Sequence, residues 1–470
     1  MHTDVVVIGG GPGGTPAAMA LARAGRKVTL VERGPGLGGT CLFEGCIPSK
    51  ILRESAYRLR VIRHGGEFGL CLPSLDVAVN WSAIQARRRA ILERRSQAAV
   101  NRAQRIPGLE LVLGAARFTG PRQVEVVPQT GEPCTIDFDT AVIATGSVPY
   151  PAPIPGIELS RVYDSERLLE IDHVPESMAV IGGGPIGVEM AQIFRSFGTR
   201  VVILELAPRI LGPVDGELAA LLADRMSEDG IRLETGCQVR DIAHTGQGVF
   251  VEYLDRSGHS QHVYAEIALE VTGRHPRVQG LGLEHTQVTY DRHGIQVDAR
   301  LETEERGIYA VGDVVGQPMF AHWATAQGLA VARHLLGLPA RFPSPAINSA
   351  VIFSQPELGM VGLTPEQAEV AGHEVSVARY EYTGDARAQI AGEDSGLLKF
   401  VYETGSHRLL GVHALVEGAG AIMGEAALAV ELGLPVEALA GAIHPHPTLN
   451  ESFGLLARQI LAEGADTPKS

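Results

Sequence analysis

DVVVIGGGPGGTPAAMALARAGRKVTLVE at residues 4–32 and MAVIGGGPIGVEMAQIFRSFGTRVVILE at residues 178–205 share one internal spacing. Each stretch has an apolar run, a G-x-G-x-x-G turn, an apolar-periodic helix, and a second β-branched strand that ends in an acid. The first glycine precedes that acid, Glu32 or Glu205, by 23 residues in both copies. The six glycines of the two turns are Gly9, Gly11 and Gly14, and Gly182, Gly184 and Gly187. This pattern is the dinucleotide-binding βαβ fingerprint, present twice.

Each glycine of the fingerprint has a physical purpose. The first permits the tight turn, the second lets the backbone approach a pyrophosphate, and the third lets the helix pack closely on the strand. The helix N-terminus faces the phosphate anion, and the acid accepts hydrogen bonds from a ribose hydroxyl. Two ordinary βα turns remain the alternative reading. Two copies with equal spacing favour two nucleotide cofactors, such as a flavin and a nicotinamide.

A pair of cysteines follows the first fingerprint, in GGTCLFEGCIPSK at residues 38–50. A disulfide between Cys41 and Cys46 closes a very small loop, so it stabilises the fold little. In a regular helix, five steps of ~1.5 Å would separate the two Cα atoms by ~7.5 Å along the axis. A disulfide tolerates about 7 Å, so we expect a distorted backbone and an easily reduced bond. Two small cysteines packing a helix are the alternative, but the position after a dinucleotide fingerprint favours redox chemistry.

A second candidate site lies in GAIHPHPTLNE at residues 441–451. A neutral imidazole such as His446 can accept a thiol proton near pH 7, and a carboxylate can fix its tautomer. The prolines on both sides of His446 hold the backbone extended. The segment Thr448 to Glu451 is also a capping box for a helix that follows, and local sequence alone favours that reading of Glu451. For the histidines, the alternative is a rigid surface turn.

Taken together, these motifs resemble the flavoprotein disulfide reductases, and most closely the dihydrolipoamide dehydrogenases. The resemblance covers nearly the whole chain in order: GGGPGG, GGTC-x4-GCIPSK, ATG, GGGPIGVE, GRHP, GIYAVGDV and HPHPTLNE. It implies that Cys41 exchanges with the substrate sulfur and that Cys46 faces the flavin. It also implies that Lys50 pairs with Glu189 beside the flavin ring. His446 matches the general base and Glu451 its carboxylate partner, both reaching the cysteines of the other subunit of a homodimer.

The resemblance also implies a fold and two cofactors, FAD and NAD. The expected fold is α/β, with two Rossmann-like dinucleotide-binding domains and a C-terminal α+β dimerisation domain. The expected boundaries are 1–148 with 277–345 for FAD, 149–276 for NAD, and 346–470 for the interface domain. Asp313 would hold the ribityl or phosphate region of FAD, although alone it reads equally well as the start of a turn. The remaining expected cofactor-binding residues are Thr145, Gly146, Ala321, Gly273 and Arg274.

Composition excludes several other classes of protein. The chain has 470 residues, 45% of them apolar, with 40 Lys plus Arg against 54 Asp plus Glu and a net charge of −14. That charge makes nucleic acid and anionic membranes poor partners. No window approaches the roughly 20 apolar residues of a membrane helix, and from the residues at the start of the sequence we expect no secretory signal. The five cysteines are too few for a disulfide scaffold. We therefore expect a cytoplasmic enzyme, and we predict no metal site.

The activity predicted from the sequence is NAD-dependent oxidation of a dihydrolipoyl group, free or on a carrier protein, through the Cys41–Cys46 disulfide and FAD. Glu205 favours a free ribose 2′-hydroxyl and repels a 2′-phosphate, which selects NAD over NADP. An alternative is a related NAD(P)H-dependent reductase of another small or protein disulfide, and a third reading is a non-catalytic flavoprotein subunit. Departures from the usual family residues at Phe43, Glu44 and Pro185, and at His322-Trp323, keep the substrate open.

Overall fold

The computed structural model of the chain describes residues 1–71, 74 and 77–465. The first third of the chain builds one sheet and the helices that cover it. Its strands are β1 (His2–Ile8), β2 (Val28–Glu32), β3 (Leu109–Gly120), β4 (Gln123–Pro128) and β5 (Cys134–Ile143). The short strand β6 (Ser147–Pro149) follows and belongs to a different sheet. Its helices are α1 (Gly14–Arg23), α2 (Gly39–Phe43), α3 (Cys46–Arg63) and α4 (Trp81–Gln104). All five residues of β2 are buried, as expected of a parallel strand covered on both faces.

In this first sheet, β1 lies between β2 and β5 and runs parallel to both. β2 in turn pairs in parallel with β3, and the long strands β3 and β5 continue into an antiparallel ladder with β4. The strand order therefore reverses beside β1. The first glycine turn follows the carboxyl end of β1, which is where parallel α/β sheets bind their ligands.

The second fingerprint starts a second sheet. The elements of this part are β7 (Val162–Tyr163), α5 (Ser165–Leu168), β8 (Ser177–Ile181), α6 (Pro185–Phe197), β9 (Arg200–Glu205), α7 (Gly216–Glu228), β10 (Arg232–Thr235), β11 (Gln238–Thr245), β12 (Gly248–Leu254), β13 (Ser260–Ala265), β14 (Ile267–Glu270) and β15 (Arg274–Pro276). Five strands form a parallel sheet in the order β10-β9-β8-β14-β7. The antiparallel sheet β11-β12-β13 accompanies it.

The chain then returns to the first sheet. This part contains β16 (Tyr290–Asp291), β17 (Gly294–Ile295), β18 (Ile308–Ala310) and α8 (Ala321–Leu335). β18 pairs in parallel with β5, and β15 pairs with β6 where the chain leaves and re-enters. The expected boundaries at 148/149 and 276/277 fall within β6 and at the end of β15. The division into domains at those residues stays a prediction.

The C-terminal part is an antiparallel sheet with helices. Its elements are β19 (Ser349–Ile352), β20 (Leu358–Gly362), α9 (Pro365–Val370), β21 (Val375–Glu381), α10 (Ala386–Ala391), β22 (Leu397–Glu403), β23 (Leu409–Leu415), α11 (Ala419–Glu431), α12 (Val436–Gly441) and α13 (Glu451–Ala465). The strand order is β19-β20-β23-β22-β21. The expected fold class is therefore confirmed; residues 466–470 of the expected third domain lie outside the described residues.

A buried charge cluster ties this C-terminal sheet to the second parallel sheet. Lys399 on β22 is 3% exposed and Asp215, which caps α7, is 2% exposed. The Lys399 Nζ atom lies 2.8 Å from both carboxylate oxygens of Asp215 and 2.6 Å from Oε2 of Glu217. Within the described part of the chain, no helix is long and apolar enough to cross a membrane.

Candidate active site

A cavity of about 1300 Å³ runs between the first sheet, the start of α6 and the C-terminal sheet. Both cysteines of the redox pair line it, together with most of the residues expected to bind a cofactor. The expected residues that line the cavity are Gly9, Gly11, Glu32, Cys41, Cys46, Lys50, Thr145, Gly146, Glu189, Arg274, Asp313 and Ala321. The fold thus brings together residues that the sequence spreads over more than three hundred positions.

The first glycine turn is built for close backbone approach. Gly9 has φ +111°, and a Cβ there would lie 2.2 Å from the carbonyl oxygen of Ala144. A Cβ on Gly14 would lie 1.9 Å from the carbonyl oxygen of Gly9, so the helix could not pack on the strand. A Cβ on Gly11 would have only the Cα atom of Gly39 within 4 Å, at 3.8 Å, and Gly11 borders the cavity. This cradle fits the pyrophosphate of a dinucleotide.

The two fingerprint acids also hold their own glycine turns, which the sequence did not predict. Glu32 accepts hydrogen bonds of 2.6 Å from the backbone N–H groups of Gly10 and Gly34. Glu205 accepts in the same way from Gly183 and, at 2.6 Å, from Ala207. Each carboxylate oxygen has a further lone pair for a ribose hydroxyl. The middle glycine of the GGG run that precedes each helix, Gly10 or Gly183, was the feature of the sequence that could have indicated this contact.

The second glycine turn lies outside the cavity. Gly182, Gly184, Gly187, Glu205 and Gly273 do not line it, so the structure keeps them apart from the cysteines. The turn itself repeats the first: Gly182 has φ +114°, and a Cβ on Gly187 would lie 2.0 Å from the Gly182 carbonyl oxygen. The helix α6 that follows the turn does enter the cavity wall, through Pro185, Ile186, Glu189 and Met190. A nucleotide on this turn would approach the cavity from the α6 side.

The two cysteines lie where one helix ends and another begins. Cys41 is in the short helix α2, and Cys46 is the first residue of α3, so the segment is not a regular helix, as expected. Both are free thiols in the structure, and their side chains are hydrogen-bonded. That bond, with burial, raises the pKa of Cys41 far above its ordinary range.

The pKa of Cys46 moves in the opposite direction. The hydrogen bond from Cys41 and the positive charge of Lys50 lower it to about 7, against the opposing effect of burial. The N-terminus of an 18-residue helix adds a favourable dipole for an anion. Near neutral pH the negative charge of the reduced pair therefore resides on Cys46, and Cys41 keeps its proton.

Lys50 on α3 contacts two other parts of the fold. Its Nζ atom lies 2.7 Å from Oε2 of Glu189 on α6 and 4.5 Å from the ring centre of Phe353. The other oxygen of Glu189 accepts a 2.9 Å hydrogen bond from the backbone N–H of Phe353. Glu189 is 7% exposed. The pair matches what the resemblance implied, and a buried carboxylate holds the ammonium in one place.

Asp313 lines the cavity and lies in a turn, and its contact with a cofactor stays a prediction. It belongs to a one-turn 3-10 helix after β18, and it accepts a 2.7 Å hydrogen bond from the hydroxyl of Ser147. The Arg274 guanidinium donates to the same hydroxyl at 2.9 Å and lies 3.1 Å from Glu166. Sequence reasoning missed Ser147 and Glu166, which have no recognisable motif around them.

His446 and Glu451 are paired but lie away from the cavity of their own chain. The Nδ1 atom of His446 lies 3.0 Å from Oε1 of Glu451, and the His446 side chain is 74% exposed. Glu451 also accepts a 2.8 Å hydrogen bond from the backbone N–H of Thr448. This bond and the contact with His446 hold the pKa of Glu451 below its usual value. Glu451 therefore contacts His446 and also makes one of the two hydrogen bonds of the capping box. The other bond of the box is not made, because the Thr448 hydroxyl donates to the carbonyl oxygen of Pro445 instead.

Three of the residues that depart from the family pattern, Glu44, Pro185 and His322, line the same cavity. Glu44 accepts a 3.1 Å hydrogen bond from the hydroxyl of Thr40 and lines the wall. Pro185 is the first residue of α6, a position where proline's fixed φ fits a helix. His322 contacts the carbonyl oxygen of Ser349 at 2.6 Å. Among the described residues, no group of three or more His, Cys, Asp or Glu side chains is arranged to hold a metal.

The chain is similar to known proteins over nearly its whole length. Residues 3–328 match the family model described as pyridine nucleotide-disulphide oxidoreductase, and residues 348–457 match that family's dimerisation domain. A dihydrolipoyl dehydrogenase of Thermus scotoductus is 38% identical over 457 residues, 96% of this chain and 95% of the relative. A dihydrolipoyl dehydrogenase of Bacillus subtilis is 33% identical and covers 98% of each. The solved HOCl-induced flavoprotein disulfide reductase RclA of Escherichia coli matches with a TM-score of 0.87 at 28% identity, covering 97% of this chain and 100% of that one.

Proposed function

The chain belongs to the pyridine nucleotide-disulphide oxidoreductase family, and from that premise we propose that it oxidises a dihydrolipoyl group to lipoyl disulfide with NAD as the final acceptor. Its cofactors are those of the family, FAD and NAD. The observation that carries the proposal is the reduced cysteine pair, in which one thiol is acidic and the other keeps its proton at the wall of a large cavity.

The residues around the cavity fit FAD. The first glycine turn would hold its pyrophosphate, Glu32 its ribose, and Asp313 its ribityl or phosphate region. Lys50 and Glu189 would lie beside the flavin ring. When bound, FAD supplies the two-electron link between thiols and a nicotinamide, while the protein contributes position and proton management.

The sulfur chemistry runs through Cys41. A dihydrolipoyl thiolate attacks Sγ of Cys41 in the oxidised pair, and the Cys41–Cys46 bond breaks as the new mixed disulfide forms. Cys46 leaves as a thiolate, which its lowered pKa of about 7 makes a good leaving group. The second lipoyl thiol then displaces Cys41 and closes the lipoyl disulfide. Cys41 takes up a proton, which its raised pKa favours, and the product is the dithiol seen in the structure.

Both lipoyl thiols must lose a proton, and His446 supplies the base. Because His446 is exposed and does not line the cavity of its own chain, we place it against the cysteines of the partner subunit. Residues 348–457 match the family's dimerisation domain, which supports this homodimer. Glu451 at Nδ1 orients the ring so that Nε2 faces the thiol.

NAD would occupy the second glycine turn. Gly184 has open space where a side chain would stand, and Glu205 ends β9 with a carboxylate that repels a 2′-phosphate. The helix that follows this turn, α6, also places Glu189 in the cavity wall. One helix therefore connects the second glycine turn to the cavity that contains the cysteines.

Stopped-flow reduction of the purified flavoprotein tests the proposal. Free dihydrolipoamide and a lipoylated carrier domain are each expected to reduce the enzyme within its turnover time, and C41A is expected to abolish the reaction. Reduction by NADH should persist in C41A, because it needs no interchange thiol. Failure of both dithiols to reduce the wild-type enzyme, with normal reduction by NADH, would refute the substrate.

Reduction of another small or protein disulfide by NAD(P)H is the second candidate. The likeness to the disulfide reductase RclA and the acidic Glu44 between the cysteines favour it. Stopped-flow measurements distinguish the two candidates. An enzyme of the second kind would not be reduced by dihydrolipoamide, but it would oxidise NADH when one of a set of small or protein disulfides is added.

A further inference from the structure

Two arginines, Arg33 and Arg277, line the cavity without a carboxylate partner. In the part of the chain that the structure describes, neither guanidinium lies within 4.0 Å of a carboxylate oxygen. Other arginines of the same region are paired: Arg274 lies 3.1 Å from Glu166, and Arg53 lies 2.9 Å from Glu417. Two arginines that line one cavity and form no ion pair require an explanation.

The backbone of Arg277 is hydrogen-bonded on both sides, but the Nε atom of its guanidinium is not. Its N–H donates to the carbonyl of Gly146 at 2.8 Å, and its carbonyl accepts from the hydroxyl of Thr145 at 2.7 Å. The Nε atom of its side chain is buried and has no hydrogen-bond partner. Buried N–H groups in folded proteins are nearly always satisfied, so an acceptor is missing at this position.

The charge around Arg277 points to an anion. Burial and the neighbouring charge of Arg33 lower the pKa of Arg277. The nearby carboxylates Glu44 and Glu166 act in the opposite direction, but neither contacts the guanidinium. Glu44 accepts from Thr40, and Glu166 is taken by Arg274. Two positive charges that act on each other at one cavity favour the binding of an anionic group there.

The position of the pair identifies the anion. Arg33 directly follows Glu32, whose carboxylate holds the first glycine turn. Arg277 hydrogen-bonds through its backbone to Thr145 and Gly146, which border the cavity from β5. Arg33 therefore lies next to the acid that holds the first glycine turn, where the pyrophosphate of FAD would bind, and Arg277 lies next to the segment that follows β5.

We infer that Arg277, assisted by Arg33, binds the diphosphate of FAD and makes the site selective for a flavin that carries an ADP group. The planar guanidinium donates several N–H groups in a fixed fork, which suits phosphate oxygens. It also offsets the carboxylate of Glu44, which brings a negative charge to a cavity that must hold a doubly charged diphosphate. The inference concerns cofactor binding, so it stands or falls independently of the thiol substrate.

The test uses apoprotein prepared from the purified holoenzyme by reversible release of FAD. Titration calorimetry measures ADP binding, and quenching of flavin fluorescence measures the binding of FAD and riboflavin. In R277Q we expect ADP and FAD to bind at least about tenfold more weakly, the loss typical of a charge-assisted hydrogen bond. Riboflavin, which has no phosphate, should bind within about twofold of wild type, and this also shows that the variant folds.

R33Q is the second variant, because Arg33 is exposed and its loss does not disturb packing. It should weaken ADP binding by a few-fold and flatten its dependence on salt, since one charge at the anion is lost. R26Q, which removes an exposed arginine between α1 and β2 and outside the cavity, is the matched control and should leave ADP binding unchanged. An ADP affinity within twofold of wild type in R277Q, or unchanged affinity and salt dependence in R33Q, would overturn the inference.

Discussion

The Nζ atom of Lys50 lies 2.7 Å from Oε2 of Glu189, and this ion pair connects the helix of the redox cysteines to the helix that follows the second glycine turn. Lys50 is one turn after Cys46 on α3, so its charge reaches the thiol. Glu189 opposes that effect on the pKa of Cys46. The pair therefore fixes both the position and the acidity of the reactive sulfur.

Replacing Lys50 by Met is expected to raise the pKa of Cys46 from about 7 by about one unit, because one favourable charge is lost while Glu189 remains. The pH dependence of iodoacetamide alkylation of the reduced enzyme, followed by peptide mapping, measures this pKa. K50M/E189Q should show a smaller shift, and K27M, at an exposed lysine, none. A midpoint unchanged in K50M would contradict the electrostatic role of Lys50.

Replacing Cys41 by Ala is expected to raise the pKa of Cys46 further, because the hydrogen bond from Cys41 is its largest stabilising cause. In the wild-type dithiol, Cys46 should react with a midpoint near pH 7 and Cys41 should stay unreactive at that pH. C134A, a cysteine outside the cavity, is the control. Preferential alkylation of Cys41 at neutral pH would reverse the assignment of the two sulfurs.

His446 and the cysteines are expected to act across the dimer. H446Q and C41A homodimers should each be nearly inactive in dihydrolipoamide oxidation. After unfolding and refolding together, the mixture should regain about a quarter of the wild-type activity, because half of the dimers are mixed and each has one complete site. Mixing with H407Q, which changes a histidine outside the site, provides the control for refolding yield. No recovery in a mixture shown to contain mixed dimers would place the base within one chain.

NADH is expected to exceed NADPH in kcat/KM by at least about tenfold, since the Glu205 carboxylate repels a 2′-phosphate. E205A should reduce this preference and also weaken NADH itself, because Glu205 holds the N–H groups of Gly183 and Ala207. Steady-state kinetics with both nucleotides give the ratio. A higher kcat/KM with NADPH in the wild type would refute the NAD assignment.

Lys399→Met is expected to lower the free energy of unfolding by about 3–5 kcal/mol, since it leaves Asp215 buried without its counter-charge. K399M/D215N should lose less, and K27M should lose almost nothing. Burial raises the pKa of Asp215, but Lys399 and backbone bonds hold it below its usual value overall. The stabilisation is therefore present at neutral pH and is lost as the pH falls through that lowered pKa. Urea unfolding at pH 7 measures the first effect, and equal losses in K399M and K27M would refute it. Urea unfolding of the wild type and K399M at a pH well below the ordinary pKa of an aspartate measures the second, and a difference between them as large as at pH 7 would refute it.

Much of the fold was readable from local pattern. The duplicated glycine turn predicted two βαβ units, and each was found with parallel strands and its first glycine at positive φ. The family resemblance predicted from the motifs was confirmed over nearly the whole chain. The interruption of the helix between Cys41 and Cys46 was also expected, because a regular helix would hold the two sulfurs too far apart.

Other relationships were not readable in this way. Arg277 has no motif of its own, and only the fold shows that the residue lines the cavity and that its buried Nε atom has no hydrogen-bond partner. Glu451 was ambiguous between cap and histidine partner, and the structure gives it both contacts. Only the packing of β22 against α7 brings Lys399 to Asp215, which lies 184 positions earlier in the sequence.

Sequence alone determined the nucleotide turns, the redox pair and the proline-held histidine, because each depends on dihedral preferences and spacings within a few dozen residues. Tertiary structure decided which distant groups meet: Lys50 with Glu189, Ser147 with Asp313, and the cavity that Arg277 faces. Such contacts are set by how sheets and helices pack over hundreds of residues. Acidity follows the same division, since the low pKa of Cys46 depends on a neighbour's hydrogen bond and charge rather than on the cysteine itself.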